Sequence, residues 1–270
     1  MNHDVAEVAL QQDIPSPDEP SSKLVAGEIA RRLDQYAILL DIDGTLLDLA
    51  PTPREVWVPP GLSDTLNRLL AKTSGALALV SGRSIADLDR LFEPLRLTAV
   101  GGHGAELRLL DGSGAQWRNT PTLGADLKRR LLAIAGSGVL GEDKGYAVAL
   151  HYRLAPEKEK MVRDAVAAAC ADPGAGSIEI LPGKAVIEIK PAGFNKGTGV
   201  RELMSRAPFA GRTPIFIGDD TTDETVFAIM PDFDGLGFSV GRQVAGAINH
   251  FDTPADVRAW LESLAAESDA

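Results

Sequence analysis

Ala37-Ile38-Leu39-Leu40 runs without a polar break into Asp41-Ile42-Asp43-Gly44-Thr45, and this junction constrains the fold more than any other stretch of the chain. A short uninterrupted apolar run predicts a strand covered on both faces, as in a parallel sheet. In open α/β sheets the chemistry gathers beyond the carboxyl ends of the strands, which is where Asp41 falls. Gly44 lets the chain turn there, and Thr45 adds a hydroxyl. Two carboxylates one residue apart repel each other unless positive charge sits between them. No His or Cys stands beside them, so the matching partner is a hard, oxygen-loving cation such as Mg2+. An isolated D-x-D also describes a strand end followed by an acidic turn, and these residues alone leave both readings open.

The rest of the chain alternates strand with helix on either side of an irregular middle. Ser22 can cap a helix through about Tyr36, and Ser63 a helix that buries Leu66, Leu69 and Leu70. Ala76 to Val80 reads as a second buried strand, Ser84 to Phe92 as a helix and Leu97 to Val100 as a third strand. After Gly101-Gly102-His103-Gly104 the pattern changes. Residues 105–110 and 115–118 suggest a hairpin across Asp111-Gly112-Ser113-Gly114. Leu123 to Ala135 and Pro156 to Ala171 read as helices. Tyr146 to Tyr152, Ile178 to Leu181 and Ala185 to Lys190 read as strands. The alternation then resumes with a helix from Lys196, a buried strand Pro214 to Gly218, a helix Thr222 to Met230, a last strand Leu236 to Val240 and a closing helix Pro254 to Leu264. This predicts an α/β fold, a doubly wound parallel-sheet (Rossmann-like) core over residues 21–104 and 191–270, with an inserted α+β module over residues 105–190. Residues 1–20, acidic and carrying Pro15, Pro17 and Pro20, read as a mobile tail.

Composition narrows the partners. The formal charge of −11 over 270 residues argues against nucleic acid or an anionic membrane as the main partner. A phosphorylated ligand would need a local basic pocket. Cys170 is the one cysteine, which fits a reducing compartment such as the cytoplasm. No apolar run reaches the roughly 20 residues of a membrane span, and residues 1–20 lack the pattern of a signal peptide.

Three further stretches stand where they could join Asp41 and Asp43. Ser81-Gly82-Arg83 ends the second strand with a hydroxyl, a flexible backbone and a guanidinium, which suits a phosphate; the same tripeptide describes an ordinary βα turn. Lys196 opens a helix and could bring an ammonium to the pocket. Gly218-Asp219-Asp220-Thr221-Thr222-Asp223-Glu224 places three Asp in five residues after a buried strand. Such a cluster is costly without a cation, although Thr222 or Asp223 could simply cap the next helix.

The string D-I-D-G-T-L, Ser81, Lys196 and the G-D-D-x-x-D cluster together resemble the haloacid-dehalogenase-like phosphotransferases, over nearly all of residues 36–262. The resemblance implies Asp41 as the nucleophile that becomes an aspartyl phosphate, and Asp43 as the general acid and then base. It implies Mg2+ held by Asp41, the backbone carbonyl of Asp43 and Asp219. Asp223 would stand behind them, and Asp220 would be either a ligand neighbour or a turn residue. Thr45, Ser81, Gly82, Arg83 and Lys196 would bind the phosphoryl group, and residues 105–190 would form the family's cap. Within that cap Glu142-Asp143-Lys144-Gly145, Ala149-Leu150-His151-Tyr152-Arg153 and Val186-Ile187-Glu188-Ile189-Lys190-Pro191, with Gly102-His103-Gly104-Ala105-Glu106 before it, resemble the trehalose-6-phosphate phosphatases. That family's cap acids and Lys hydrogen-bond the sugar, which implies Glu142, Lys144 and Glu188 here, with His103 and Arg153 as further candidates at the substrate. His103 and His151 also read as structural or hinge residues, and Glu188 as an outward-facing strand residue. The implied function is hydrolysis of trehalose 6-phosphate by a monomer acting on a small-molecule sugar phosphate. The alternatives are another phosphosugar phosphatase, such as a sucrose-phosphate or mannosylglycerate-pathway enzyme, and a non-catalytic sugar-phosphate sensor. Carbon–halogen hydrolysis is disfavoured by the acidic cluster at residues 218–224.

Overall fold

The computed structural model describes residues 29–50, 55–110, 115–117, 122–172, 176–183 and 185–266. The tail, residues 22–28 of the helix expected from Ser22 and the turn at residues 111–114 lie outside the described residues; the described end of that expected helix is a 3-10 turn, Leu33–Gln35, and Tyr36 already belongs to the first strand.

In chain order the strands are β1 (Tyr36–Leu40), β2 (Leu77–Val80), β3 (Thr98–Gly101), β4 (Glu106–Arg108), β5 (Ala115–Trp117), β6 (Leu140–Asp143), β7 (Val148–His151), β8 (Ile178–Gly183), β9 (Val186–Pro191), β10 (Thr213–Gly218), β11 (Leu236–Val240) and β12 (Asn249–Phe251). The helices are α1 (Leu62–Lys72), α2 (Ile85–Leu91), α3 (Ala125–Leu132), α4 (Glu159–Cys170), α5 (Lys196–Met204), α6 (Glu224–Phe227) and α7 (Pro254–Ala266). An eight-stranded sheet runs β12-β11-β10-β1-β2-β3-β4-β5, parallel from β12 to β3. The chain leaves β1 in one direction through β2 and β3 and returns on its other side through β10. A doubly wound sheet opens a crevice at such a reversal.

The apolar run explains why β1 is central. Successive strand residues point to opposite faces, and both faces of β1 are covered. Ile38 and Leu40 pack with apolar residues of α1, α2 and α7, whereas Ala37 and Leu39 pack with α5 and α6. Each fully buried Leu or Ile contributes about 1.5–3 kcal/mol, so neither face of β1 tolerates a polar residue cheaply.

The smaller sheet is antiparallel, in the order β6-β7-β9-β8. Leu127 and Leu131 of α3 and Val162 and Val166 of α4 cover one face, through Val148, Leu150, Ile187 and Ile189. Glu142, Ala149 and Glu188 are in register across β6, β7 and β9. Strand alternation therefore puts both acids on the face away from these helices.

Other local expectations change as well, and β6 is a strand the sequence reading did not give. Strands β4 and β5, read from sequence as part of the insert, are hydrogen-bonded to the edge of the large sheet, β4 antiparallel to β3. α1 begins at Leu62 behind Gly61, whose φ of 84° takes the cap position, so Ser63 lies inside the helix. The helix expected from Thr222 to Met230 is a 3-10 turn, Thr221–Asp223, followed by the short α6. β12 adds an edge strand beyond β11, which the sequence reading took as the last. Among the described residues, no helix is long and apolar enough to cross a membrane.

Candidate active site

The floor of the site is built by adjacent parallel strands ending together. Leu40 stands opposite Ile217, and the Asp41 N–H donates to the Ile217 carbonyl at 2.9 Å. Asp41 and Asp219 thus leave the sheet side by side. Gly44, with a φ of 85°, lets the loop after β1 close over them. A Cβ at that position would fall 2.2 Å from Asp219 Oδ2, so no other residue fits there. Thr45 Oγ1 lies 3.3 Å from Asp41 Oδ2 and 3.5 Å from Asp219 Oδ1.

Lys196 is the first residue of α5, whose start is set by Asn195. The Asn195 side chain accepts from the Thr198 N–H, and Thr198 reciprocates at the Asn195 N–H. From there Lys196 Nζ donates to Asp41 Oδ1 and Asp223 Oδ1, both at 2.7 Å. All three side chains are buried. Asp223 uses its second oxygen on the backbone, accepting the N–H groups of Asp219 at 3.1 Å and Asp220 at 3.0 Å. Burial, joined by the Asp223 carboxylate, pushes Asp41 up to about 7 against the pull of Lys196. Burial raises Asp223 as well. It opposes the charge on Lys196, but the two carboxylates more than reverse that and hold the ammonium above its ordinary value.

One ammonium among several acids leaves negative charge uncompensated in a buried place. Asp41, Asp219 and Asp223 each offer a carboxylate oxygen, all within 4.8 Å of one another. An all-oxygen donor set fits a hard divalent cation. Asp223 commits one oxygen to the Lys196 ammonium and the other to two backbone N–H groups, whereas Asp41 Oδ2 and Asp219 Oδ1 meet the Thr45 hydroxyl at longer range, so Asp41 and Asp219 are the better direct donors. Asp220 turns elsewhere, accepting the Thr221 N–H at 2.7 Å, and the Asp43 side chain is bound by Arg83.

That pairing is two-pointed: Arg83 Nε meets Asp43 Oδ2 and Arg83 Nη2 meets Asp43 Oδ1, each at 2.6 Å. Ser81, at the end of β2, is buried, and its Oγ accepts the Arg83 N–H at 3.1 Å. His103 lies over this loop. A Cβ at Gly82 would come within 2.4 Å of the His103 ring, and the His103 N–H donates to the Ser81 carbonyl at 3.0 Å.

The roof comes from the smaller sheet. Glu188 is buried, accepts from Lys144 Nζ at 2.5 Å and lies 3.5 Å from the Tyr146 hydroxyl. His103 Nε2 of the floor reaches to 3.6 Å of Glu188 Oε2, the oxygen that Lys144 holds. Burial alone would raise Glu188, yet its carboxyl is held well below the usual carboxylate range by the cationic groups around it. Those groups are His103 and Lys144; burial pushes His103 itself below its ordinary value, whereas Glu188 holds the Lys144 ammonium above its own. Glu142 is paired with His151 at 2.9 Å, which holds it low, and Arg153 Nη1 donates to the Ala50 carbonyl at 2.6 Å.

The candidates therefore form three groups. Asp41, Thr45, Lys196, Asp219 and Asp223 make one cluster, Asp43 and Arg83 a pair beside Ser81 and Gly82, and His103, Lys144 and Glu188 a bridge from floor to roof. Glu142, Arg153 and Asp220 engage other partners. Tyr146, the aromatic partner of Glu188, was read from sequence only as part of a strand; nothing in its alternating neighbours marks it. A separate apolar cleft of about 480 Å³, lined by residues including Leu70, Gly75, Thr98 and Pro208, lies at the amino ends of the strands, away from all these groups.

The family model for trehalose-phosphatase matches residues 39–249. A probable trehalose-phosphate phosphatase of Sinorhizobium fredii is 46% identical over 214 residues, covering 78% of this chain and 80% of that protein. The trehalose-6-phosphate phosphatase of Escherichia coli is 37% identical over 232 residues, 85% and 86% of the two chains. Among solved structures, the C-terminal domain of a Candida albicans trehalose-6-phosphate phosphatase superposes with a TM-score of 0.79 at 20% identity, over 92% of this chain and 97% of that one, a likeness of fold. A trehalose-6-phosphate phosphatase related protein superposes with a TM-score of 0.67 at 25% identity, over 85% and 96%.

Proposed function

The chain belongs to the trehalose-phosphatase family, and on that premise we propose that it hydrolyses trehalose 6-phosphate to trehalose and phosphate through a phosphorylated Asp41. The observation that carries the reading is the buried Asp41 carboxylate at the end of β1, one oxygen 2.7 Å from Lys196 and the other towards Thr45. Held this way, the carboxylate is oriented before any substrate arrives.

A carboxylate oxygen of Asp41 attacks phosphorus, and the bond to the sugar oxygen breaks. Asp43 gives that oxygen a proton, then takes one from the water that hydrolyses the acyl phosphate. A carboxylate gripped at both oxygens by a guanidinium has no proton to give, so the Arg83 pairing must open first. The incoming phosphate is a competing acceptor for the same fork. Ser81, Gly82 and Lys196 bind phosphoryl oxygens as charge shifts during transfer. Mg2+ would be held by Asp41, Asp219 and the Asp43 carbonyl, with Asp223 orienting Lys196 and the Asp219 loop; the ion neutralises phosphoryl charge.

The roof reads the sugar. Glu188 and Lys144 satisfy each other here and would exchange that bond for sugar hydroxyls, with Glu142, Arg153 and His103 as further contacts. A wrong sugar leaves such buried charges unpaired, which is where discrimination comes from. The reading takes the enzyme as a monomer of the cytoplasm, a reducing compartment that suits Cys170 as the sole cysteine. We further take the cap as the β6–β9 sheet with α3 and α4, leaving β4 and β5 to the core.

The test is phosphate release from a panel of sugar phosphates, with and without EDTA. Trehalose 6-phosphate should be the preferred ester, and chelation should remove the activity. Preference for another sugar ester would replace the substrate; full activity after chelation would overturn the metal site.

A further inference from the structure

Lys190 is a buried charge that none of these steps uses. Its side chain is 1% exposed, at the end of β9 on the same face as Glu188. Nζ donates to the Phe194 carbonyl at 2.5 Å, pairs with Glu179 of β8 at 2.6 Å, and stands 4.2 Å above the centre of the Phe194 ring. A buried ammonium is retained only where such partners offset its lost hydration.

Its place in the chain gives these contacts meaning. Residues 190 to 196 are the return passage from the roof to the floor, with Glu188 just before and Lys196 at the far end. Lys190 folds this passage back on itself by holding Phe194 by both carbonyl and ring. Phe194 meets the Tyr146 ring edge-on, centroids 5.7 Å apart, and the Tyr146 hydroxyl is the one near Glu188. Phe194, Tyr146, Ala105 and Ala147 form a small apolar cluster of their own, separate from the cores of either sheet. Beyond Phe194, the Asn195 carbonyl approaches Gly104 so closely that a Cβ there would fall 2.2 Å from it. The junction is thus packed on both sides and clamped at its centre by one ammonium.

We propose that Lys190 is a positioning residue that fixes the sugar-reading roof relative to the phosphoryl-transfer floor. It touches neither sugar nor phosphate; it sets the offset between Glu188 and Lys196. This rests on the proposed sugar-phosphate hydrolysis. A sugar ester engages roof and floor together, whereas p-nitrophenyl phosphate engages the floor alone. Lys190→Met should therefore lower kcat/KM for trehalose 6-phosphate about 10- to 100-fold, the scale of an ångström of misplacement. Its effect on p-nitrophenyl phosphate should stay within about threefold, and Lys190→Arg should recover most of the loss through the retained charge.

The experiment measures both esters for the parent, Lys190→Met, Lys190→Arg and Phe194→Leu, with amide hydrogen exchange over residues 191–196. Phe194→Leu keeps the carbonyl contact and removes the ring; it should show the same selective loss in smaller degree, and it carries the test if Lys190→Met does not fold. Equal losses on both esters, no loss on either, or unchanged exchange in the passage would overturn the proposal. The parent's own preference is read first. If another sugar ester is preferred, the substrate reading fails, and the clamp is tested with that ester.

Discussion

The floor and the roof of this site both bury charged side chains, but they satisfy them differently. In the floor, Asp41, Lys196 and Asp223 hold one another at 2.7 Å, and Asp223 is tied to two backbone N–H groups. The strand ends and helix start that supply them are fixed by a sheet covered on both faces. In the roof, Lys144 and Glu188 satisfy each other across a sheet covered by helices on one face only, and Glu142 leans on a half-exposed His151. The Asp41–Lys196–Asp223 cluster is held in place before a ligand arrives, as the proposed chemistry requires, while the Arg83–Asp43 pair beside it has to open. The Lys144–Glu188 bond is one that the proposed recognition of a polar sugar would exchange for hydroxyls.

The sharpest test of this contrast is Asp41→Asn. An amide cannot form the acyl phosphate, so phosphate release should fall by at least about a thousandfold for sugar and generic esters alike. The same variant carries a pH signature. Asp41 is raised from 3.8 to about 7, so the folded state binds the extra proton. Stability is then lost as pH rises through that window. Thermal melting of the metal-free parent should decline between those values, and Asp41→Asn should flatten the decline. An unchanged profile would mean the floor is not strained by its own charge.

Lys196→Met leaves the two buried acids without their cation. Breaking a buried pair from one side costs about 3–5 kcal/mol, so denaturant unfolding should shift strongly and activity on both esters should disappear. A variant as stable as the parent would show that the floor's charges are not mutually dependent.

Glu188→Ala acts on the roof. Losing hydrogen bonds to a charged group should cost roughly 10- to 150-fold in kcat/KM for trehalose 6-phosphate, with little change for p-nitrophenyl phosphate. Equal losses would move Glu188 into the floor's machinery. Because its carboxyl is held low, its stability contribution is present above the ordinary carboxylate pKa of 4.5 and fades as pH falls through the lower folded value. Acid unfolding should accordingly begin at higher pH in Lys144→Met.

The last effect is thermal. Mg2+ at about a hundred times its dissociation constant adds about 2.7 kcal/mol, which should raise melting of the chelated protein by several degrees. Asp219→Asn should abolish the shift. Asp220→Asn should leave it, since the Asp220 carboxylate is turned to Thr221. The reverse pattern would exchange their roles.

Much of the floor's frame was legible because local rules govern it. An apolar run placed Asp41 at a strand end, Lys196 stood at a helix start, and Gly218 with its three Asp marked another strand end. What escaped notice depends on partners far away in sequence. Arg83 meets Asp43 across 40 residues, a pairing no spacing announces. Asp223 reads from sequence as a group behind the metal ligands or as a helix cap, and only the fold places its second oxygen on the Asp219 and Asp220 amides. Strands β4 and β5 carry hairpin chemistry whichever sheet they join; hydrogen bonding to β3 assigned them to the large one. Lys190 alternates with Ile189 like any strand residue, and only the folded passage buries it.

The sequence by itself determined the parallel core, the ends of its strands and the residue types gathered there, because hydrophobic period and backbone freedom act over a few residues. Tertiary structure alone decided which charge faces which. Electrostatic pairing acts through space, and Lys196 reaches Asp41 across 155 positions of chain only after the sheet has brought β1 and the start of α5 together.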